Sequence, residues 1–179
     1  MPSSAHQDSR EGVPPSGGSP VPKSSSLHRI KAVVTDVDGT LTDGLLQFDS
    51  KGNVSKSFHA RDGYGGALLI AQGISIAILT GRDDPATLSR VRALGWGVVG
   101  VGEEDKVSAL ASYCQEKGLL AEEVLYLGDD VNDCEAMAWA GIGCAVGNAH
   151  PLAKETADWV LEAEGGKGAF REMADALLQ

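Results

Sequence analysis

Asp36 and Asp38, in "TDVDGT", stand two residues apart where an apolar run stops. In an extended chain, residues i and i+2 project to the same side. The two carboxylates therefore reach one small volume, where they repel unless a cation or a proton is shared. Asp129, in "LGDDVND", ends another apolar run and brings a third negative charge. That makes a hard cation necessary, and oxygen ligands with positions open to water and substrate suit magnesium better than zinc. Beside such a cation Asp36 stays ionised and can act as a nucleophile, while Asp38 can shuttle a proton. The Thr80 hydroxyl, the Gly81 amide and the Lys106 ammonium can together hold a phosphoryl group. Arg82 reads either as a solvated loop arginine or as a contact to phosphate or substrate, and its place beside Thr80 and Gly81 favours contact. Asp130 and Asp133 follow Asp129 as first-turn acids of a helix or as outer partners of the site, with Asp133 suited to Lys106 or to water on the metal. The set fits phosphoryl transfer through an aspartyl-phosphate.

Such residues have to be carried to one place by the elements around them. From Arg29 onward, strand-like segments at 30–36, 74–80, 96–101, 123–129, 141–147 and 158–161 alternate with amphipathic helical patterns, the signature of an α/β domain. The helical faces read as Tyr64, Ala67, Leu68 and Ala71, then Leu88, Val91 and Gly95, then Val107, Leu110, Ala111 and Cys114. Two more follow, on Val131, Cys134, Met137 and Ala138 and on Phe170, Met173, Ala174 and Leu177. Continuously apolar strands joined by helices imply a three-layer, Rossmann-like, mostly parallel sheet. Ligands of such sheets bind at the carboxyl ends of the strands, where Asp36, Asp38, Thr80, Gly81, Arg82 and Asp129 all fall. One segment breaks the alternation: 45–58 has short extended pieces around the turn "DSKGN" and reads as a projecting β-hairpin. An isolated two-stranded ribbon is marginal, so it is expected to pack on something, a second copy of the chain being a candidate.

Composition limits the rest. The chain has 179 residues, enough for one domain with a sizeable core. A net charge of -10 offers no footprint for nucleic acid or an anionic membrane surface. Three cysteines, Cys114, Cys134 and Cys144, lack metal-site spacing and read as reduced, buried small hydrophobes. No apolar run approaches a membrane span and no secretory signal opens the chain, so a cytoplasmic protein is expected. Residues 1–27 are rich in Ser, Pro and Gly and read as a disordered tail, leaving 28–179 as the folded domain.

"DVDGT", Thr80-Gly81, Lys106 and "GDDVND" resemble, in order and spacing, the four motifs of the haloacid dehalogenase superfamily of phosphohydrolases. That resemblance implies Asp36 as nucleophile and Asp38 as general acid and base. It implies magnesium on Asp36, the Asp38 backbone carbonyl and Asp129, with phosphate on Thr80 and Lys106. Further stretches, "FHARDGYG", "AVGNAHP" and "GGKGAFRE" among them, resemble the 3-deoxy-D-manno-octulosonate 8-phosphate phosphatases and the related nonulosonate-9-phosphate phosphatases. The implied protein is a homotetramer without a cap domain, associated through its hairpins, acting on a small acidic sugar phosphate in lipopolysaccharide biosynthesis. Within "RDG", Arg61 and Asp62 read as helix caps or as pocket residues, and the resemblance places Arg61 with the substrate. Two other readings stand beside this one: a phosphatase of nucleotides or phosphoproteins, and a non-catalytic oligomerisation module. The chain departs from the family pattern at Thr40, where Val or Ile is usual, and at Asn132, Cys134 and Glu135.

Overall fold

Strand β1 (Ala32–Thr35) is buried at every position. Such a strand can only lie inside a sheet covered on both faces. A computed structural model, which describes residues 18–179, places it at the centre of six parallel strands. Around it, in chain order, come α1 (Ser24–Leu27), the hairpin strands β2 (Gln47–Phe48) and β3 (Val54–Ser55), α2 (Ala60–Ala71), β4 (Ser75–Thr80), α3 (Pro85–Leu94) and β5 (Gly97–Val101). Then follow α4 (Lys106–Lys117), β6 (Val124–Gly128), α5 (Cys134–Trp139), β7 (Ile142–Ala145), α6 (Pro151–Thr156), β8 (Trp159–Val160) and α7 (Ala169–Leu177). The sheet order is β5-β4-β1-β6-β7-β8, with β2 and β3 forming a separate antiparallel pair. Helices flank the sheet: α2 packs on α7 and α3, and α4 packs on α5, which also meets α6. All six expected strands and the hairpin are present, and among the described residues no cap domain interrupts them.

The topology decides where chemistry can occur. From β1 the sheet is built outward through β4 on one side and through β6 on the other. The resulting switch point opens a crevice at the carboxyl end of β1. In register, Thr35 sits opposite Ile78 of β4 and Leu127 of β6, so the residues just after all three strands meet at one edge.

Several expectations need correction. Helix α2 does not bury Tyr64, Ala67 or Ala71: all three are exposed, and its inward face is Asp62, Gly63, Gly65, Gly66 and Leu69. Close packing is the reason, since a Cβ on Gly66 would come within 2.4 Å of the Trp96 ring and one on Gly65 within 3.2 Å of the Ala174 Cβ. Likewise Val131, 48% exposed, and Ala138 lie outside, because a 3-10 turn at Val131–Asp133 precedes α5 and points Asp133 inward instead, leaving Ala136 and Met137 as the buried face. The face read on α7 is buried throughout. Cys114 and Cys144 are buried, whereas Cys134 is only half-buried.

Of the expected tail, residues 1–17 lie outside the described residues. Residues 18–27 do not behave as a free tail. Ser19 N donates to Val160 O at 3.0 Å and Val160 N donates to Ser19 Oγ at 2.6 Å. These bonds satisfy backbone groups on the edge strand β8, which otherwise face water unpaired. Leu27 of α1 joins the core.

Candidate active site

Asp36 is the residue after β1, and its N–H donates to Leu127 O at 2.9 Å, which aligns the loop with β6. Lys106, the first residue of α4, is buried and donates to Asp36 Oδ1 and to Asp133 Oδ1, each at 2.7 Å. Asp133 is enclosed completely. Its Oδ1 also accepts from Tyr126 Oη at 2.7 Å, and its Oδ2 accepts from the amides of Asp129 at 2.9 Å and Asp130 at 3.1 Å. Asp133 thus holds the lysine and the loop after β6 together. Asp129 is set by Thr40, whose hydroxyl donates to its Oδ1 at 2.9 Å.

The loop after β1 is shaped to admit Asp129. Gly39 has φ +95°, a conformation that side chains disfavour, and a Cβ there would lie 2.1 Å from Asp129 Oδ2. From the other side the "GGKG" segment covers the same loop. Gly166 N donates to Thr40 O at 3.0 Å, and a Cβ on Gly165 would fall 1.7 Å from Gly39 O.

Oxygens of Asp36, Asp129 and Asp133 lie within 4.8 Å of one another. Burial pushes the Asp36 carboxyl up to about 8, the Asp133 charge adds to the rise, and Lys106 opposes it. Burial also raises Asp129, to about 6, against the hydrogen bond from Thr40. For Lys106 the burial penalty is outweighed by Asp36 and Asp133, so its ammonium is held charged. Three carboxylates share one ammonium, a cluster short of positive charge. Because four donors already engage the oxygens of Asp133, the free oxygens belong to Asp36 and Asp129. That donor set fits a hard divalent cation such as magnesium.

Asp38 is held from a different direction. The ammonium of Lys56, which follows β3 and is fully buried, donates to Asp38 Oδ2 at 2.8 Å, to Asp84 Oδ2 at 2.5 Å and to Thr87 Oγ1 at 3.0 Å. Burial resists ionisation of Asp84, but the bonds from Lys56 and Thr87 prevail and keep its carboxyl below its ordinary value. Arg82 Nε stands 3.8 Å from Asp38.

Between these groups lies a cleft of about 270 Å³, lined by Asp36, Asp38, Thr80, Gly81, Arg82 and Asp129 together with the exposed Asp130 and Asn132. Of the residues singled out in the sequence, Lys106 and Asp133 stand directly behind it. Asp130 caps the 3-10 turn by accepting from Val131 N at 2.7 Å. Arg61 is not brought to the cleft within this chain; it is exposed and lines a separate groove with Lys167 and Arg171. Asp62 accepts from Arg171 N at 2.9 Å and so ties α2 to the first turn of α7. Lys56, Asp84 and Tyr126 were not anticipated. For Lys56 a signal existed, because Val54, Lys56 and Phe58 fall on one face of an extended segment and a lysine in phase with two apolar residues is a candidate for burial.

A cleft with a buried carboxylate against a lysine, a second carboxylate two residues on, and hydroxyl and amide donors nearby can attack phosphorus from one side and deliver a proton from another. Comparison with known proteins agrees with that chemistry. A haloacid dehalogenase-like hydrolase family matches residues 100–170. The 3-deoxy-D-manno-octulosonate 8-phosphate phosphatase of Haemophilus influenzae is 44% identical over 153 residues, covering 86% of this chain and 85% of that protein. The protein of the same name from Escherichia coli K12 is 38% identical over 154 residues, covering 86% and 82%. The cobalt-bound structure of the Haemophilus influenzae phosphatase superposes with a TM-score of 0.83, over 86% of this chain and 90% of that one. A structure of the Moraxella catarrhalis phosphatase with magnesium, phosphate and KDO is 33% identical and superposes at 0.84, over 87% and 89%. With 44% identity across most of both sequences and the same fold beneath it, the chain belongs to the 3-deoxy-D-manno-octulosonate 8-phosphate phosphatase family of haloacid dehalogenase-like hydrolases.

Proposed function

We propose that this chain is a magnesium-dependent phosphatase that hydrolyses 3-deoxy-D-manno-octulosonate 8-phosphate to the free sugar acid and phosphate. The observation that carries the reading is the pair of carboxylates held independently at one cleft, Asp36 by Lys106 and Asp38 by Lys56. Asp36 attacks phosphorus in line, and the bond from phosphorus to the sugar oxygen breaks. Asp38 gives its proton to the departing alkoxide, a poor leaving group without one. Water, giving a proton back to Asp38, then opens the aspartyl-phosphate and regenerates Asp36. Thr80, the Gly81 amide, Lys106 and Arg82 hold the phosphoryl oxygens during both steps. Magnesium, when bound by Asp36, Asp129 and the Asp38 backbone carbonyl, supplies the charge that lets the phosphoryl group approach an acidic cluster. Asp133 and Asp130 act from behind, through Lys106 and the loop after β6.

The substrate follows from the names of the relatives, which cover most of this chain. Association into a homotetramer through the 45–58 hairpin is supported by Leu45 and Phe48, which are 67% and 63% exposed. The role of Arg61 and Lys167 toward the carboxylate of a sugar acid held by a neighbour is supported by their lying together on one groove, outside this chain's own cleft. Among the described residues no helix is long and apolar enough to cross a membrane, in keeping with a cytoplasmic enzyme that supplies a lipopolysaccharide precursor.

The test is phosphate release with magnesium and with chelator, across eight-carbon and nine-carbon ulosonate phosphates, hexose phosphates and a nucleotide, with Asp36→Asn as control. Metal-dependent turnover confined to the eight-carbon substrate is expected. Preference for the nine-carbon compound moves the chain to the nonulosonate branch. No release from any substrate, with the control indistinguishable, leaves a non-catalytic oligomerisation module.

A further inference from the structure

We propose that Lys56 is the positioning residue of the proton-transfer step. This rests on the reading of Asp38 as the acid. An ammonium has three protons and no acceptor, and here all three are committed, to Asp84, Thr87 and Asp38. Two of the three partners are fixed by the fold. Asp84 is the N-cap of α3, with its Oδ1 accepting from Thr87 N at 2.9 Å, and Thr87 Oγ1 donates to Asp84 Oδ2 at 3.1 Å. Both are buried. The Lys56 side chain is 0% exposed, whereas that of Asp38 is 19% exposed and faces the cleft. Lys56 is therefore anchored from behind by α3 and offers its remaining N–H to the one partner that faces the cleft. It fixes the rotamer of Asp38: its Nζ lies 2.8 Å from both carboxyl oxygens, and because Oδ1 is buried, Oδ2 is the one left to face the cleft and the leaving oxygen. A purely structural lysine would need only Asp84 and Thr87. The third contact, to a residue of the cleft, is what gives Lys56 a function in the reaction.

Leaving groups distinguish this role from a structural one. A sugar alkoxide needs a proton as it departs, while p-nitrophenolate leaves without one. The quantity to read is leaving-group release in the first turnover, which excludes the later hydrolysis of the aspartyl-phosphate. In Lys56→Met, release from the ulosonate phosphate should fall by about 10²-fold, and release from p-nitrophenyl phosphate by no more than about threefold. Because the single variant strands Asp84 without its counter-ion, the double variant Lys56→Met with Asp84→Asn is measured beside it, with thermal unfolding to confirm that it folds. It should show the same selective loss. An equal fall on both substrates, or none on either, overturns the role of Lys56 and leaves the proposed function standing. No turnover by the unmodified chain sinks the proposed function, and this inference with it.

Discussion

Replacing Asp133 with Asn changes almost no volume and should still be among the most damaging substitutions in the chain. The carboxylate accepts four hydrogen bonds, from Lys106 and Tyr126 on one oxygen and from the amides of Asp129 and Asp130 on the other. An asparagine has one acceptor oxygen and one NH2. Whichever way it turns, one pair of donors faces an NH2 group and loses its acceptor. A buried donor without an acceptor costs about 1–3 kcal/mol, so two cost roughly 2–6 kcal/mol. If the oxygen stays with Lys106, the loop carrying Asp129 is released. If it turns to the amides, Lys106 and Tyr126 are left and Lys106 leans on Asp36 alone. For a domain of this size that loss lowers Tm by roughly 5–20 °C. Thermal unfolding of the magnesium-free protein, paired with a magnesium titration by calorimetry, measures both consequences. A Tm within about 2 °C of the parent, with unchanged magnesium affinity, would refute the account of Asp133 as the shared anchor.

Gly39→Ala should abolish magnesium binding while leaving a folded protein, since the new Cβ would sit 2.1 Å from Asp129 Oδ2 in a backbone conformation with φ +95°. The added backbone strain is about 1–2 kcal/mol, and calorimetric titration with magnesium reads the loss directly. Stability should also depend on pH in a defined direction. In the fold Asp36 and Asp129 keep their protons up to about 8 and about 6, against an ordinary value of 3.8, so the native state binds more protons than the unfolded one across that window. Their stabilising contribution is complete below pH 4 and is lost as pH rises through the folded values. Melting curves in chelator should therefore fall between pH 5 and 8 and flatten with magnesium; a rising curve in chelator would contradict the burial of an acidic cluster.

The parts of the site legible in the sequence are those whose position follows from topology. Asp36, Thr80 and Asp129 each end an apolar run, and once those runs are parallel strands in register, their ends must meet. Lys106 was visible for a related reason, as the first residue of a periodic helix. What escaped depends on contacts that periodicity does not encode. The inward face of α2 is made of glycines, which carry no hydropathy signal, and Tyr64, large enough to look like core, is outside because Gly65 and Gly66 bring α7 and Trp96 too close to leave it room. Lys56 was hidden by its charge and by its place after a hairpin that otherwise looks solvated. The ordering of residues 18–27 rests on Ser19, which pairs with an edge strand, and on Leu27, which enters the core. No composition rule would single out that serine among so many in the N-terminal stretch.

The way "GGKG" closes over the loop after β1 bears on how the protein is made. Asp36 leaves the ribosome early, but Lys106 lies 70 residues behind it, and the glycines that cover its loop come later still. Until then Asp38 has Lys56 for a partner, but Asp36 has no ammonium beside it. The links from Lys106 to Asp36, from Thr40 to Asp129 and from Gly166 to Thr40 are all long-range, which favours slow closure after most of the chain is available. Asp36 is thus synthesised well before the groups that enclose it. A chain cut before residue 165 would still carry Asp36, Lys106 and Asp129 but would lack the backbone bond by which Gly166 fastens the loop that presents them.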